Sequence, residues 1–255
     1  MKTLTLTIVM LAMLVAFPSY GVATPDPEQG KSMAAMNATE LEKAADGFRA
    51  QKDYQQAIAY FQAALRKDPK NAVLFNKLGL ATWKNNDKDM NTARSYFQKA
   101  AKLDPKYAEA QNNIGAVDYT QKNLRSAAKY FKKAVALEET RATFHINLGA
   151  AWFGQNKVDR AISEYTRALE LDPDSLTNSS RVGVAAQIST PEERARYSYM
   201  LAKIYARRGD VDNCLRCLRK AKEDGYRELA NVYKDEEFSN LRHDTRLTDV
   251  VPPPK

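Results

Sequence analysis

Residues 142–173 read ATFHINLGAAWFGQNKVDRAISEYTRALELDP, and the spacing inside that stretch decides the fold. Leu148-Gly149 is followed by Ala161, Tyr165 and Ala168 at helical spacing, and Pro173 closes the stretch. The pattern Ala-x3-[Phe/Tyr]-x2-Ala recurs at Ala57, Phe61, Ala64 and Pro69, at Ala93, Phe97, Ala100 and Pro105, and at Ala127, Phe131, Ala134 and Glu139. The closing residues 69, 105, 139 and 173 stand 34 to 36 apart. Leu78-Gly79 and Ile114-Gly115 take the place of Leu148-Gly149 in the two preceding stretches. A fixed period with two helical apolar patterns per period marks a solenoid, whose units bury their apolar faces by stacking. Each unit is expected to be two helices that cross closely where Gly and the facing Ala leave room. Pro69, Pro105 and Pro173 disfavour α geometry in the residue before them, which ends each second helix and lets the next unit turn back.

The pattern resembles the tetratricopeptide repeat, a helix-turn-helix unit of about 34 residues with Leu-Gly in its first helix, Ala and an aromatic in its second, and Pro at its end. The resemblance implies an all-α, right-handed superhelical solenoid. Units begin near Ala38, Ala72, Ala108 and Ala142, and a fifth near Ala195 carries Leu201-Ala202, Tyr205, Gly209 and Ala221. In the first unit Ala44-Ala45 stands where Leu-Gly is expected, and the second holds two extra residues around Asn85 to Asn91, which lengthen its turn. The expected organisation is a signal peptide over 1–23, a linker over 24–37, four repeats over 38–173, an inserted loop over 174–190, a fifth repeat over 191–225 and a capping segment with its tail over 226–255. Within the insert, enriched in Ser, Thr, Asn and Gly, a short helix is expected around Val182 to Gln187. Thr190-Pro191-Glu192-Glu193 reads as a capping box with Pro at the first helical position. Phe238, Leu241 and Leu247 are placed to cover the apolar end that the last unit would otherwise expose.

At 44% hydrophobic and 27% charged residues, the 255-residue chain has the composition of an ordinary folded protein. Its 10 Gly and 10 Pro are few for a strand-rich fold, and with only two Cys and two His neither a multi-ligand zinc site nor a disulfide framework is expected. At the N-terminus, Lys2, the apolar run from Leu4 to Phe17, Pro18 and the small residues Gly21-Val22-Ala23 have the order of a secretory signal, with cleavage after Ala23. About 14 apolar residues are too few to span a bilayer as a helix, so no membrane segment is expected after cleavage, and the chain is expected in the periplasm or secreted. Cleavage removes one base and no acid and lowers the net charge from +8 to +7. Such a balance suits an acidic partner or an anionic membrane surface. Acids and bases interleave, as in Asp159, Arg160, Glu164, Arg167 and Glu170, and nucleic acid is not expected as a partner.

No G-x-S-x-G, H-E-x-x-H or P-loop is present, so neither an enzyme nor a cofactor is expected. Cys214-x-x-Cys217 has redox-like spacing, but Cys214 takes the position of a packing Ala and no thioredoxin-like strand precedes it. A thiol redox module stays open as an alternative, as does a scaffold that self-associates through its end units. His145 falls where an apolar residue is usual, which implies partial burial, and His243 has no evident partner. Asn37-Ala38-Thr39 and Asn178-Ser179-Ser180 match glycosylation acceptors, as short motifs commonly do by chance.

The first helices line the concave face in proteins of this kind, and there the resemblance implies a groove for a partner protein or peptide. Aligned on Gly79, Gly115 and Gly149, Lys77, Asn113 and Asn147 form one row, and Trp83, Tyr119 and Phe153, four residues after each Gly, form a second. The rows differ by six residues, roughly 120° around the helix, and would flank one broad face. Amides there can bond a peptide backbone and rings can cover its side chains, though these positions also suit packing between units. Capture of a C-terminal carboxylate is not expected, because Asn113 and Asn147 stand without the Lys and Arg set of the carboxylate clamp. The chain therefore reads as an exported scaffold or adaptor that binds other proteins.

Overall fold

The computed structural model describes residues 32–86, 89–176 and 190–254. Those residues fall into two units. The first, which ends at Met36, contributes a short 3-10 helix, Met33–Ala35. The second, from Asn37 onward, is a solenoid of five helix pairs: α1 (Ala38–Ala50) with α2 (Tyr54–Lys67), α3 (Ala72–Asn85) with α4 (Met90–Leu103), α5 (Ala108–Thr120) with α6 (Leu124–Leu137), α7 (Ala142–Gly154) with α8 (Val158–Leu171), and α9 (Pro191–Arg207) with α10 (Val211–Glu223). No strand occurs among the described residues. The second helix of each of the first three pairs also packs on the first helix of the next pair. The signal sequence, the helix expected around Val182 to Gln187, and Asn178 to Ser180 lie outside the described residues.

Local chemistry sets the helix boundaries. Asn37 caps α1 reciprocally with Glu40, each side chain bonding the other's backbone N–H. Thr190 Oγ1 accepts from the Glu193 N–H, with Pro191 in the first turn of α9. The second helices end at Lys67, Leu103 and Leu171, two residues before Pro69, Pro105 and Pro173. Inside a pair the crossing is too close for a side chain: a Cβ on Gly79 would stand 2.5 Å from the Phe97 ring and one on Gly115 2.7 Å from Phe131. The Leu-Gly dipeptide and the aromatic of the repeat are therefore one contact, seen from its two helices.

Within four of the pairs the turn holds a residue in the left-handed region: Lys52, Lys122, Asn156 and Gly209, at φ of 63°, 62°, 60° and 72°. Beyond α10, two 3-10 helices, Leu229–Tyr233 and Glu236–His243, and α11 (Thr245–Val250) fold onto the last pair. Val232, Phe238, Leu241, Leu247 and Val250 of these elements are buried in the same cluster as Tyr199, Leu215 and Leu218.

Candidate functional site

One residue of each of the first helices α3, α5 and α7 reaches back to the unit before it. Lys77 Nζ donates to Glu42 Oε1 and to Asp46 Oδ2, both at 2.6 Å. Asn113 Nδ2 donates to Asn76 Oδ1 at 2.9 Å, and Asn147 Nδ2 to Asn112 Oδ1 at 2.8 Å. Each donor lies two residues before its unit's Gly, and Glu42, Asn76 and Asn112 lie three before the equivalent residue, Ala45, Gly79 or Gly115. The same rung is thus repeated at three successive junctions. Side links join them: Asn76 Nδ2 donates to the Tyr107 hydroxyl at 3.2 Å, and Asn112 Nδ2 to Asn113 Oδ1 at 3.4 Å. At the fourth junction the equivalent residues are Ile146 and Met200, both buried in the large apolar cluster. Burial works against the Lys77 ammonium, but its hydrogen bonds to Asp46 and Glu42 outweigh that cost and hold its pKa above the ordinary lysine value.

The structure places the six expected groove residues at different depths, with Lys77, Trp83 and Asn113 partly exposed and Tyr119, Asn147 and Phe153 buried. Lys77, Asn113 and Asn147 are structural rungs between units, and Asn147 is only 3% exposed. Tyr119 and Phe153 are buried as well, at 6% and 7%. Phe153 meets the Tyr197 ring edge-on at 5.5 Å, with the Arg196 guanidinium over its face. The reason lies in helix geometry: four residues advance the chain about 40° past a full turn, so each ring shares the stripe of the Gly that faces the second helix. Trp83 is half-buried, as are Asn112 and Asn113. A side-chain amide has two N–H groups and two lone pairs, so Asn113, bonded to Asn76 and Asn112, keeps one of each in reserve.

Three acceptors in the ladder, Glu42, Asn76 and Asn112, went unread in the sequence. Their signal was a donor and an acceptor one period apart, visible only once the stacking register is known. A further unread residue is Asp118, whose buried carboxylate takes Arg94 Nε at 2.7 Å and Nη2 at 3.2 Å together with the Ser126 hydroxyl, tying α4, α5 and α6 into one junction. The bond to Asp118 is the main cause of the raised Arg94 pKa. His145 is buried outright, its Nδ1 2.8 Å from Glu164 Oε2 and its Nε2 2.9 Å from the Glu139 carbonyl.

Cys214 and Cys217 are free thiols inside the core. Burial pushes Cys214 up to about 12 and Cys217 up to about 11. Thiolate attack needs a depressed pKa, so packing is the role this environment favours. Among the described residues no group of three or more His, Cys, Asp or Glu is placed to hold a metal ion, and no helix is long and apolar enough to cross a membrane.

Tetratricopeptide-repeat models match residues 45–86, 89–137, 117–175 and 195–223, together more than half of the sequence. The chain belongs to the tetratricopeptide-repeat family. Its repeats make it a scaffold for contact with other proteins. Among solved structures, a crystal structure of MamA protein is similar over 78% of this chain and 95% of its own, at TM-score 0.51 and 22% identity. MamA 41-end from Desulfovibrio magneticus RS-1 aligns at TM-score 0.52 and 20% identity, over 73% of this chain and 93% of its own. PilF of Pseudomonas aeruginosa aligns at TM-score 0.55 and 17% identity, over 84% and 92%. At these identities the likeness is one of fold. No curated protein matches the sequence.

Proposed function

We propose that this protein is an exported, non-enzymatic scaffold that holds an extended segment of a partner protein along the face formed by its first helices. The observation that carries this reading is the amide ladder: half-exposed Asn112 and Asn113 are fixed in orientation by their neighbours, and Asn113 keeps an N–H and a lone pair for an extended backbone. Preorganised amides lose little freedom on binding, which is where much of the cost of association lies. Trp83 offers a half-exposed ring beside them. Asn147, Tyr119 and Phe153 act from behind this surface by fixing the stacking of units. Export is supported by the order of charged, apolar and small residues over 1–23.

The test begins with cross-linking in the exporting compartment, which identifies the partner, and with mass spectrometry of the native N-terminus, expected at Thr24. With the partner in hand, Asn113→Ala and Trp83→Ala together are expected to weaken binding by roughly ten- to a hundredfold. Arg167→Ala, on a second helix, is expected to leave it unchanged. Equal losses from both sets place the contact elsewhere, and an intact N-terminus in the cytoplasm ends the export reading.

A further inference from the structure

The second helices α2, α4 and α6 contain nine Lys and Arg and not one Asp or Glu. On α6 the residues Arg125, Lys129, Lys132 and Lys133 fall at i, i+4, i+7 and i+8, a single stripe about 100° wide. All four are exposed, and among the described residues none has an ion-pair partner. Exposed Lys99 and Lys102 continue the charge on α4. In the first-helix face, by contrast, Lys77 is matched by Glu42 and Asp46, and Lys203 by Asp235 and Glu237. The basic surface stops at α8, which carries Asp159, Glu164 and Glu170.

Apolar groups are set among these charges in register. Tyr96 and Tyr130, each one residue before the packing Phe of its helix, are half-buried. Lys99 lies 5.6 Å over Tyr96 and Lys133 5.4 Å over Tyr130. Leu103 and Leu137, the last residues of α4 and α6, are 41% and 39% exposed, two of the few large apolar side chains left open to solvent.

We propose that this outer face, centred on α6, docks the protein on an anionic lipid bilayer. Charge complementarity selects an anionic occupant. Most of the exposed cations are lysines, flexible point charges that meet mobile headgroups without a fixed geometry, whereas a folded acidic protein would be better held by bidentate arginines. Tyrosine rings and leucines between the charges suit the boundary of headgroups and acyl chains. The inference is independent of the first-helix groove, because no residue serves both.

The test is co-sedimentation of the full chain with phosphatidylcholine vesicles, with and without phosphatidylglycerol. Binding is expected only with the anionic lipid, weakening as salt rises. The variant Lys129→Glu, Lys132→Glu, Lys133→Glu is expected to lose about a hundredfold in affinity, and the matching Gln variant less. Since the three sites are exposed, helical circular dichroism is expected to stay unchanged; should the Glu variant misfold, the Gln variant and the salt titration on the native chain decide. Equal binding to neutral vesicles, or binding indifferent to the substitutions, overturns the proposal. So does binding of polyglutamate without any preference for phosphatidylglycerol, which would assign the face to an acidic polypeptide instead.

Discussion

The first three junctions between units and the C-terminal end are built on different chemistry. Units one to four are joined by polar rungs, Lys77 to Glu42 and Asp46, Asn113 to Asn76, and Asn147 to Asn112. From the fourth unit to the cap, rings and aliphatic side chains take over: Phe153 and Tyr165 pack on Tyr197, Tyr199 stacks on Tyr226 at 4.4 Å, and Phe238 lies against Tyr199. One apolar cluster runs from Ala116 to Val251, whereas Ala93, Phe97, Ile114 and Val117 form a separate small one. Apolar burial is non-directional and stabilises strongly, while a hydrogen bond nets little but fixes geometry. The C-terminal half is therefore expected to be the more stable, and the N-terminal junctions to be where orientation is specified. Hydrogen exchange is expected to reach α1 to α4 before α9 and α10.

The largest effect belongs to the C-terminal half. Phe238→Ala removes a fully buried ring from beneath the last pair and is expected to cost about 3 to 5 kcal/mol in chemical denaturation, with α10 losing exchange protection first. A comparable loss in the N-terminal units, read by the same experiment, would break the contrast.

Next comes the buried Asp118 carboxylate among the polar junctions. Arg94→Ala leaves the Asp118 carboxylate, 3% exposed, with only Ser126 as a side-chain partner. A destabilisation of about 2 to 3 kcal/mol is expected, the lower part of the range for broken buried pairs because Arg94 itself is 25% exposed. Replacing Arg94 and Asp118 together by apolar residues is expected to recover part of it.

A matched pair of small changes sharpens the comparison. Asn113→Ala removes one rung and is expected to cost about 1 kcal/mol, with non-additivity in a double-mutant cycle with Asn76→Ala. Tyr205→Phe removes a buried hydroxyl that has no hydrogen-bond partner, and is expected to be neutral or stabilising.

The smallest effect is one of pH. Burial works to raise the Asp235 carboxyl, but Lys203 Nζ and the Tyr199 hydroxyl, each 2.8 Å away, outweigh it and hold the pKa below 3.8. A depressed carboxylate contributes its stability above the unfolded value and loses it as pH falls through the folded one. The cap is thus expected to loosen at pH below about 4 while α5 and α6 keep their structure, as tyrosine fluorescence and exchange would report. Partial exposure keeps the effect modest.

The helix pairs, their ends at Pro69, Pro105 and Pro173, and the close crossing at Gly79 were legible because each depends on spacing within one unit, which the 3.6-residue period fixes locally; that the Phe97 ring stands against Gly79, where a small Ala was expected, came from the structure. The Ala-like position of Cys214 on a helix face was legible as well, and Cys214 is buried there. Only the tertiary structure decided what Lys77, Asn113 and Asn147 do. They share one position in the repeat, yet whether a donor there meets solvent, a partner or the preceding unit depends on the register between stacked units. That register is set by the sum of all contacts at a junction. Hence the same position carries a lysine between two acids in the second unit, an amide pair in the third and fourth, and the apolar Met200 in the fifth.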